Sequence, residues 1–292
     1  MTERVVALLG DGLVDPDAPL LRPDDLGVLR GDGVFETVLV VDGVALEFDA
    51  HLARLARSAA MLELPPPDLA AWRSCGQTVI DAWGGDREMV LKLVLTRGPE
   101  TLQGRGADGS GVVTGYATGT SIGPALLAQR RDGVATVTLT RGTAPELAGQ
   151  APWLLLGAKT LSYAMNMAAL RHAEQRGAQD VVFTAADGSV LEGPTSTVVI
   201  AQGDTLCTPP TELGILPGTT QAALFRGAEA AGWRTRVEPL QVADLLAADG
   251  VWLCSSVRLI TRVHTLDGHP LPDTGLTGAL RALLPLPAAA RS

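Results

Sequence analysis

Short aliphatic and β-branched runs, closed by two-residue turns, recur along this chain and limit what it can fold into. Val34–Val41 meets Val44–Phe48 across Asp42-Gly43, Val181–Thr184 meets Val190–Leu191 around Asp187-Gly188, and Val198–Ala201 meets Thr205–Cys207 around Gly203-Asp204. Such turn pairs supply the positive-φ residues that hairpins need. Between the runs lie stretches of helical spacing. One starts at about residue 50, with Asp49 as its cap and Leu52, Leu55, Ala59 and Leu62 on one face. A second opens at Asp68 and runs to about Trp83. A third covers Thr160 to Arg176 with Gly177 as its C-terminal cap. The pattern predicts a mixed α+β or α/β protein, and with only 4% aromatics its core must be mostly Leu, Val and Ala.

The 292 residues suffice for one large or two modest domains. Strands over residues 4–10, 34–41, 44–48, 89–96 and 112–121, with a loop over 15–33, read as an N-terminal α/β domain of residues 1–121. Residues 122–133 read as a linker. Strands at 134–141, 181–184, 190–191, 198–201, 205–207, 234–238, 251–254 and 260–266 alternate with helices at 220–231, 242–248 and 276–284. They make a larger C-terminal domain of residues 134–292.

A net charge of −9 argues against sequence-independent nucleic-acid binding, which needs clustered basic residues. Three scattered cysteines, Cys75, Cys207 and Cys254, read as reduced core thiols of a cytoplasmic protein. The N-terminus has no signal-peptide pattern and no run of about 18 apolar residues exists, so no membrane partner is expected. His51, His172, His264 and His269 are dispersed, and no metal site is expected. Gly104-Arg-Gly106-Ala-Asp-Gly109 matches a dinucleotide loop literally. It leads into a strand-like run rather than a helix, so it is set aside.

The chain has two lysines, Lys92 and Lys159, against 21 arginines. Arginine replaces lysine at most surfaces but cannot form a Schiff base, so retained lysines point to amine chemistry. Lys159 follows the apolar run Pro152–Gly157, expected to be buried and to lower the amine's pKa. Glu192 follows a strand end. Gly218-Thr219-Thr220 opens a helix, whose free N–H groups and positive dipole end suit a phosphate. Lys92 interrupts an apolar strand, Val90-Leu-Lys-Leu-Val94.

Taken in order, Arg30-Gly-Asp-Gly-Val-Phe-Glu-Thr37, His51-Leu-Ala-Arg54-Leu, Lys159-Thr-Leu-Ser-Tyr163, Glu192-Gly-Pro-Thr-Ser, Gly218-Thr-Thr220 and Ser255-Ser-Val-Arg258 resemble the fold-type IV pyridoxal-phosphate enzymes, or class IV aminotransferases. The resemblance covers nearly the whole chain and is nearest to the 4-amino-4-deoxychorismate lyases. It implies a two-domain fold, with a small N-terminal α/β domain and a larger pseudo-barrel C-terminal domain, that forms a homodimer. It implies that Lys159 is the Schiff-base lysine and proton shuttle, with Tyr163 near the cofactor and Glu192 at the cofactor's ring nitrogen. Arg54, Thr219, Thr220 and Ser256 would hold the cofactor. Lys92, Arg97, Arg105 and Ser255 would meet a substrate carrying an amine and carboxylates, and Thr37 would assist proton transfer. Transamination of D- or branched-chain amino acids is the alternative activity, and a non-catalytic scaffold is a third reading that the retained lysine and glutamate disfavour. The chain departs from the family at Thr197 (usually Asn), Gln221 (usually Arg) and Pro194 (usually small).

Overall fold

The structure, a computed structural model, describes residues 4–103 and 111–287. Contacts divide the chain into two units. One holds Met1–Ile122 with Ala158–Tyr163, and the other holds Gly123–Gly157 with Ala164–Ser292.

The first unit is an antiparallel sheet of β1 (Arg4–Leu8), β2 (Gly12–Val14), β3 (Gly33–Val41), β4 (Val44–Ala45), β5 (Glu88–Thr96) and β6 (Thr114–Ser121), in the order β2-β1-β6-β5-β3-β4. Helix α1 (Leu26–Arg30) lies inside the stretch expected as a loop. Asp25 caps it by accepting from Gly27 N at 2.8 Å. Helices α2 (Phe48–Met61) and α3 (Leu69–Asp81) bury Leu52, Leu55, Ala59, Trp72 and Val79. Asp68 caps α3 as its sequence predicts, accepting from Ala70 N and Ala71 N. Asp49 does not cap α2. Glu47 stands at that position with φ 52°, and Asp49 sits in the first turn, paired with Arg73.

The strap Ala158–Tyr163 completes this unit. Phe35 N donates to Lys159 O at 3.1 Å and Leu161 N donates to Gly33 O at 2.8 Å, around an antiparallel bridge between Val34 and Thr160. These bonds satisfy the backbone of β3 beyond the end where β4 pairs. The helix expected from Thr160 therefore begins only at Ala164, because residues 159–161 are spent on a strand edge.

In the second unit the expected linker is mostly helix, α4 (Pro124–Asp132), with proline in its first turn. An eight-stranded sheet follows, built from β7 (Val134–Thr140), β8 (Asp180–Thr184), β9 (Thr197–Gln202), β10 (Thr205–Thr208), β11 (Arg234–Val237), β12 (Gly250–Ser255), β13 (Leu259–Leu266) and β14 (His269–Pro270). Its order is β11-β10-β9-β12-β13-β7-β8, with β14 on β13. Pairs β7–β8, β7–β13 and β10–β11 are parallel, so the sheet is mixed. Val190 makes only an isolated bridge to Thr184 where a strand was expected. Helices α5 (Leu147–Gln150), α6 (Ala164–Gln175), α7 (Thr219–Ala230), α8 (Val242–Ala247) and α9 (Leu276–Ala282) complete the unit. Val134, Val182, Ile200, Leu245, Val251, Leu253 and Val263 share one apolar core. Among the described residues no helix is long and apolar enough to cross a membrane.

Candidate active site

Lys159 is 8% exposed. The apolar run before it is not what buries it, since Trp153 is 74% exposed and Leu154 is exposed too. The strap places Lys159 opposite Phe35, and its Nζ lies 4.5 Å from the centre of that ring. The amine is also 3.4 Å from the Tyr163 hydroxyl, and the Phe35 and Tyr163 rings meet edge to face at 5.1 Å. Lys159 N donates to Ser58 Oγ at 3.1 Å, which ties the strap to α2.

Alternation along β3 puts Phe35 and Thr37 on one face and Glu36 on the other. Thr37 is in register with Lys92 on β5, which is in register with Thr118 on β6. Facing residues of antiparallel strands share a face. Thr37 and Lys92 therefore stand on the sheet face where the amine of Lys159 meets Phe35. Lys92 is exposed between buried Val90 and Val94, and its side chain forms no hydrogen bond or ion pair with any described residue.

On the opposite face Glu36 is fully buried beneath α2. Arg54 Nε and Nη2 donate to its two oxygens at 2.7 Å each, and His51 Nδ1 donates to Oε2 at 2.7 Å. Burial pushes the Glu36 carboxyl up, but the charge and hydrogen bonds of Arg54, with His51, outweigh it and bring its pKa down to about 2. Burial holds His51 below the usual imidazole value against the opposing pull of Glu36. The ring is therefore neutral at pH 7 and its Nδ1 carries the proton. The sequence singles out Arg54 as a phosphate ligand and reads His51 as structural, but does not anticipate that both pair with buried Glu36. The signal was present in a charged residue inside an apolar strand and in the i, i+3 spacing of His51 and Arg54.

Arg97, expected at a substrate carboxylate, is committed elsewhere. Its guanidinium grips Asp32 at 2.7 and 3.2 Å and donates to the carbonyls of Leu62 (2.6 Å) and Glu63 (3.3 Å) past the end of α2. It is a latch on α2 because those acceptors take up its donors. Arg105 and the set-aside glycine motif lie outside the described residues.

In the second unit, Glu192 Oε1 accepts from Arg141 Nη2 at 2.7 Å and Oε2 accepts from Leu216 N at 3.0 Å. Arg141 also donates to Gly214 O and lies over the Phe183 ring. Both partners are mostly buried, so Glu192 is a fixed carboxylate rather than a surface one. Arg141 was missed because its partner lies 51 residues away. Arg141→Met should cost about 3 kcal/mol by leaving a buried carboxylate short of its counter-ion. Urea melts at pH 7 give this value, and a loss below about 1 kcal/mol would show the pair to be solvated.

Gly218 precedes α7 as its N-cap, and no side chain caps the helix. A Cβ on Gly218 would lie 2.3 Å from Thr197 Oγ1, so only glycine fits there. Thr219 and Thr220 are buried in the first turn. The buried Ser196 Oγ has no hydrogen-bond partner. Neutral donors, a small-residue cradle and an uncapped helix N-terminus form a donor set that fits a phosphate. Taken separately, this donor set suits the phosphate of pyridoxal phosphate and the buried Lys159 amine suits its aldehyde.

The departures at 194 and 197 are absorbed locally. Asn166 Nδ2 donates to Pro194 O at 2.6 Å, and Thr197 packs on Gly218. Ser255 ends β12 and Ser256 begins the turn to β13, both half-buried. Arg258 anchors that turn, with Nη2 2.6 Å from Asp180 Oδ2 in an ion pair and Nη1 donating to Gln129.

Residues 33–266 match the family model described as amino-transferase class IV. A Mycobacterium tuberculosis protein called bifunctional aminodeoxychorismate lyase / D-amino acid transaminase is 46% identical over 289 residues, which cover 96% of this chain and 97% of that one. The pyridoxal-phosphate-bound structure of a hypothetical aminotransferase from M. tuberculosis matches with a TM-score of 0.91 at 45% identity, covering 96% of this chain and 97% of that one. A fold IV-transaminase from Curtobacterium pusillum matches with a TM-score of 0.90 at 40% identity, covering 98% of this chain and all of the other (100%).

Proposed function

Because the chain belongs to the class IV aminotransferase family, whose cofactor is pyridoxal 5'-phosphate, we propose that it is a lyase cleaving 4-amino-4-deoxychorismate to pyruvate and 4-aminobenzoate, a folate precursor. The observation that carries this reading is the placement of Lys92 and Thr37 side by side on the Lys159 face of the first sheet. An ammonium without a counter-ion among the described residues suits a substrate carboxylate, and a hydroxyl beside it suits proton delivery to a departing enol-pyruvyl group.

Bound to a lysine amine, the cofactor acts as an electron sink for the carbon that bears the substrate's amino group. Lys159 would carry it and afterwards take the proton from that carbon. Tyr163 holds its hydroxyl toward the amine. Glu192, fixed as a carboxylate by Arg141 and the Leu216 amide, would keep a proton on the cofactor ring nitrogen. By the family resemblance Arg54, Thr219, Thr220 and Ser256 would hold the phosphate. Lys92 and Ser255 orient the substrate. Thr37 passes a proton to the leaving group, and aromatisation of the ring drives the elimination.

Transamination of D-amino acids is the second reading, favoured by the bifunctional name of the M. tuberculosis relative. Aminodeoxychorismate supplied to the holoenzyme should yield pyruvate and 4-aminobenzoate in equal amounts. A holoenzyme whose cofactor spectrum responds to D-alanine, but which makes neither product, would leave only the transaminase. The exposed Trp153, Met165 and Met167 support a homodimer, and three buried free thiols fit a reducing cytoplasm.

A further inference from the structure

The group of Glu36, His51 and Arg54 has no net charge to offer an anion. Glu36 is a carboxylate at any pH above about 2, Arg54 is its counter-ion, and His51 is neutral. A phosphate brought to Arg54 meets a guanidinium whose charge is cancelled by a carboxylate 2.7 Å away. Another positive charge within a few ångströms would strengthen the hold on a dianion there.

Arg57 stands one helical turn beyond Arg54 on α2, a spacing that puts the two Cβ atoms about 5–6 Å apart. It is exposed and its side chain forms no hydrogen bond or ion pair with any described residue. Partial burial lowers its pKa, the neighbouring Arg54 lowers it further, and Glu36 opposes both, so all three charges sense one another. Two like charges a turn apart repel unless an anion shares them.

We propose that Arg57 is a second phosphate-binding arginine, supplying the net positive charge at the anion site that Arg54 orients. The inference rests on the reading of Arg54 as a ligand of the cofactor phosphate.

The test compares two ligands of the apo protein, pyridoxal 5'-phosphate and pyridoxal, which lacks the phosphate. The ratio of their dissociation constants, from tryptophan-fluorescence titrations, isolates the phosphate contribution. Arg57→Gln should lower the preference for the phosphorylated ligand about five- to tenfold while leaving pyridoxal binding unchanged. Arg57→Lys should restore most of it. Arg54→Lys keeps a counter-ion for Glu36 but loses the fork, and should lower the preference about tenfold or more. If Arg54→Lys lowers the preference while Arg57→Gln leaves it within twofold, the role of Arg57 is overturned and that of Arg54 stands. If neither change lowers it, both assignments fall.

Discussion

Lys159→Ala is expected to abolish turnover, with a fall of about five orders of magnitude or more. No other side chain can take its place. Lys92, the only other lysine, belongs to β5 and is exposed, whereas Lys159 is held by backbone pairing to β3, by the Phe35 ring and by the Tyr163 hydroxyl. The strap is fixed through main-chain bonds, so alanine keeps it in place, and the stability loss should stay near the about 1 kcal/mol of a lost cation–π contact. Borohydride reduction of the wild-type holoenzyme, followed by peptide mass analysis, should put the cofactor mass on Lys159 and nowhere else. An adduct on Lys92, or turnover by the alanine variant, would overthrow the assignment.

Glu36→Ala is expected to cost about 3–5 kcal/mol, because it strands the buried Arg54 guanidinium without a counter-ion. The same carboxylate makes the fold sensitive to acid. Unfolded, it titrates near 4.5; folded, its pKa is about 2. As pH falls, the unfolded chain binds the proton first, so the stabilisation is complete above pH 4.5 and disappears as pH approaches 2. It amounts to about 3 kcal/mol. His51 acts in the same direction, since its folded pKa is lowered from 6.5 and its contribution erodes as pH drops below that value. Urea melts between pH 7 and pH 3 should show wild-type stability falling, and Glu36→Gln should flatten the lower part of that fall. A wild-type profile flat over this range would contradict the buried ion pair.

Local signals were read well where they settle structure alone. Asp68 caps α3, Gly177 follows α6 with φ 76°, and the Asp42-Gly43 and Gly203-Asp204 turns join the expected hairpins. Competition between local and tertiary demands defeated the rest. Residues 160–163 follow a helical pattern, yet β3 needs partners for its backbone at that end and takes them. The run Pro152–Gly157 looks like core but lies largely at the surface, a composition that subunit contact would explain as well as burial. Arg97 reads as a free cation until Asp32 and the end of α2 claim it. Motif order singles out Lys159, Glu192 and Thr220; the structure buries Lys159 and Thr220 and holds Glu192 against Arg141. Glu36 and His51 left only weak marks, a charge inside an apolar strand and an i, i+3 spacing, and Arg141 left none, because its ion pair joins distant positions.

The strap has a consequence for biosynthesis. A ribosome that has released residues 1–122 has made every strand of the first sheet, but not the segment that bonds to Gly33, Phe35 and Ser58. That unit must wait until residue 163 has emerged before its hydrogen bonding is complete, and only then does the Lys159 amine arrive. A gene fragment ending at residue 122 would therefore encode a half-protein with an open seam, which a separately supplied peptide spanning 158–163 could close.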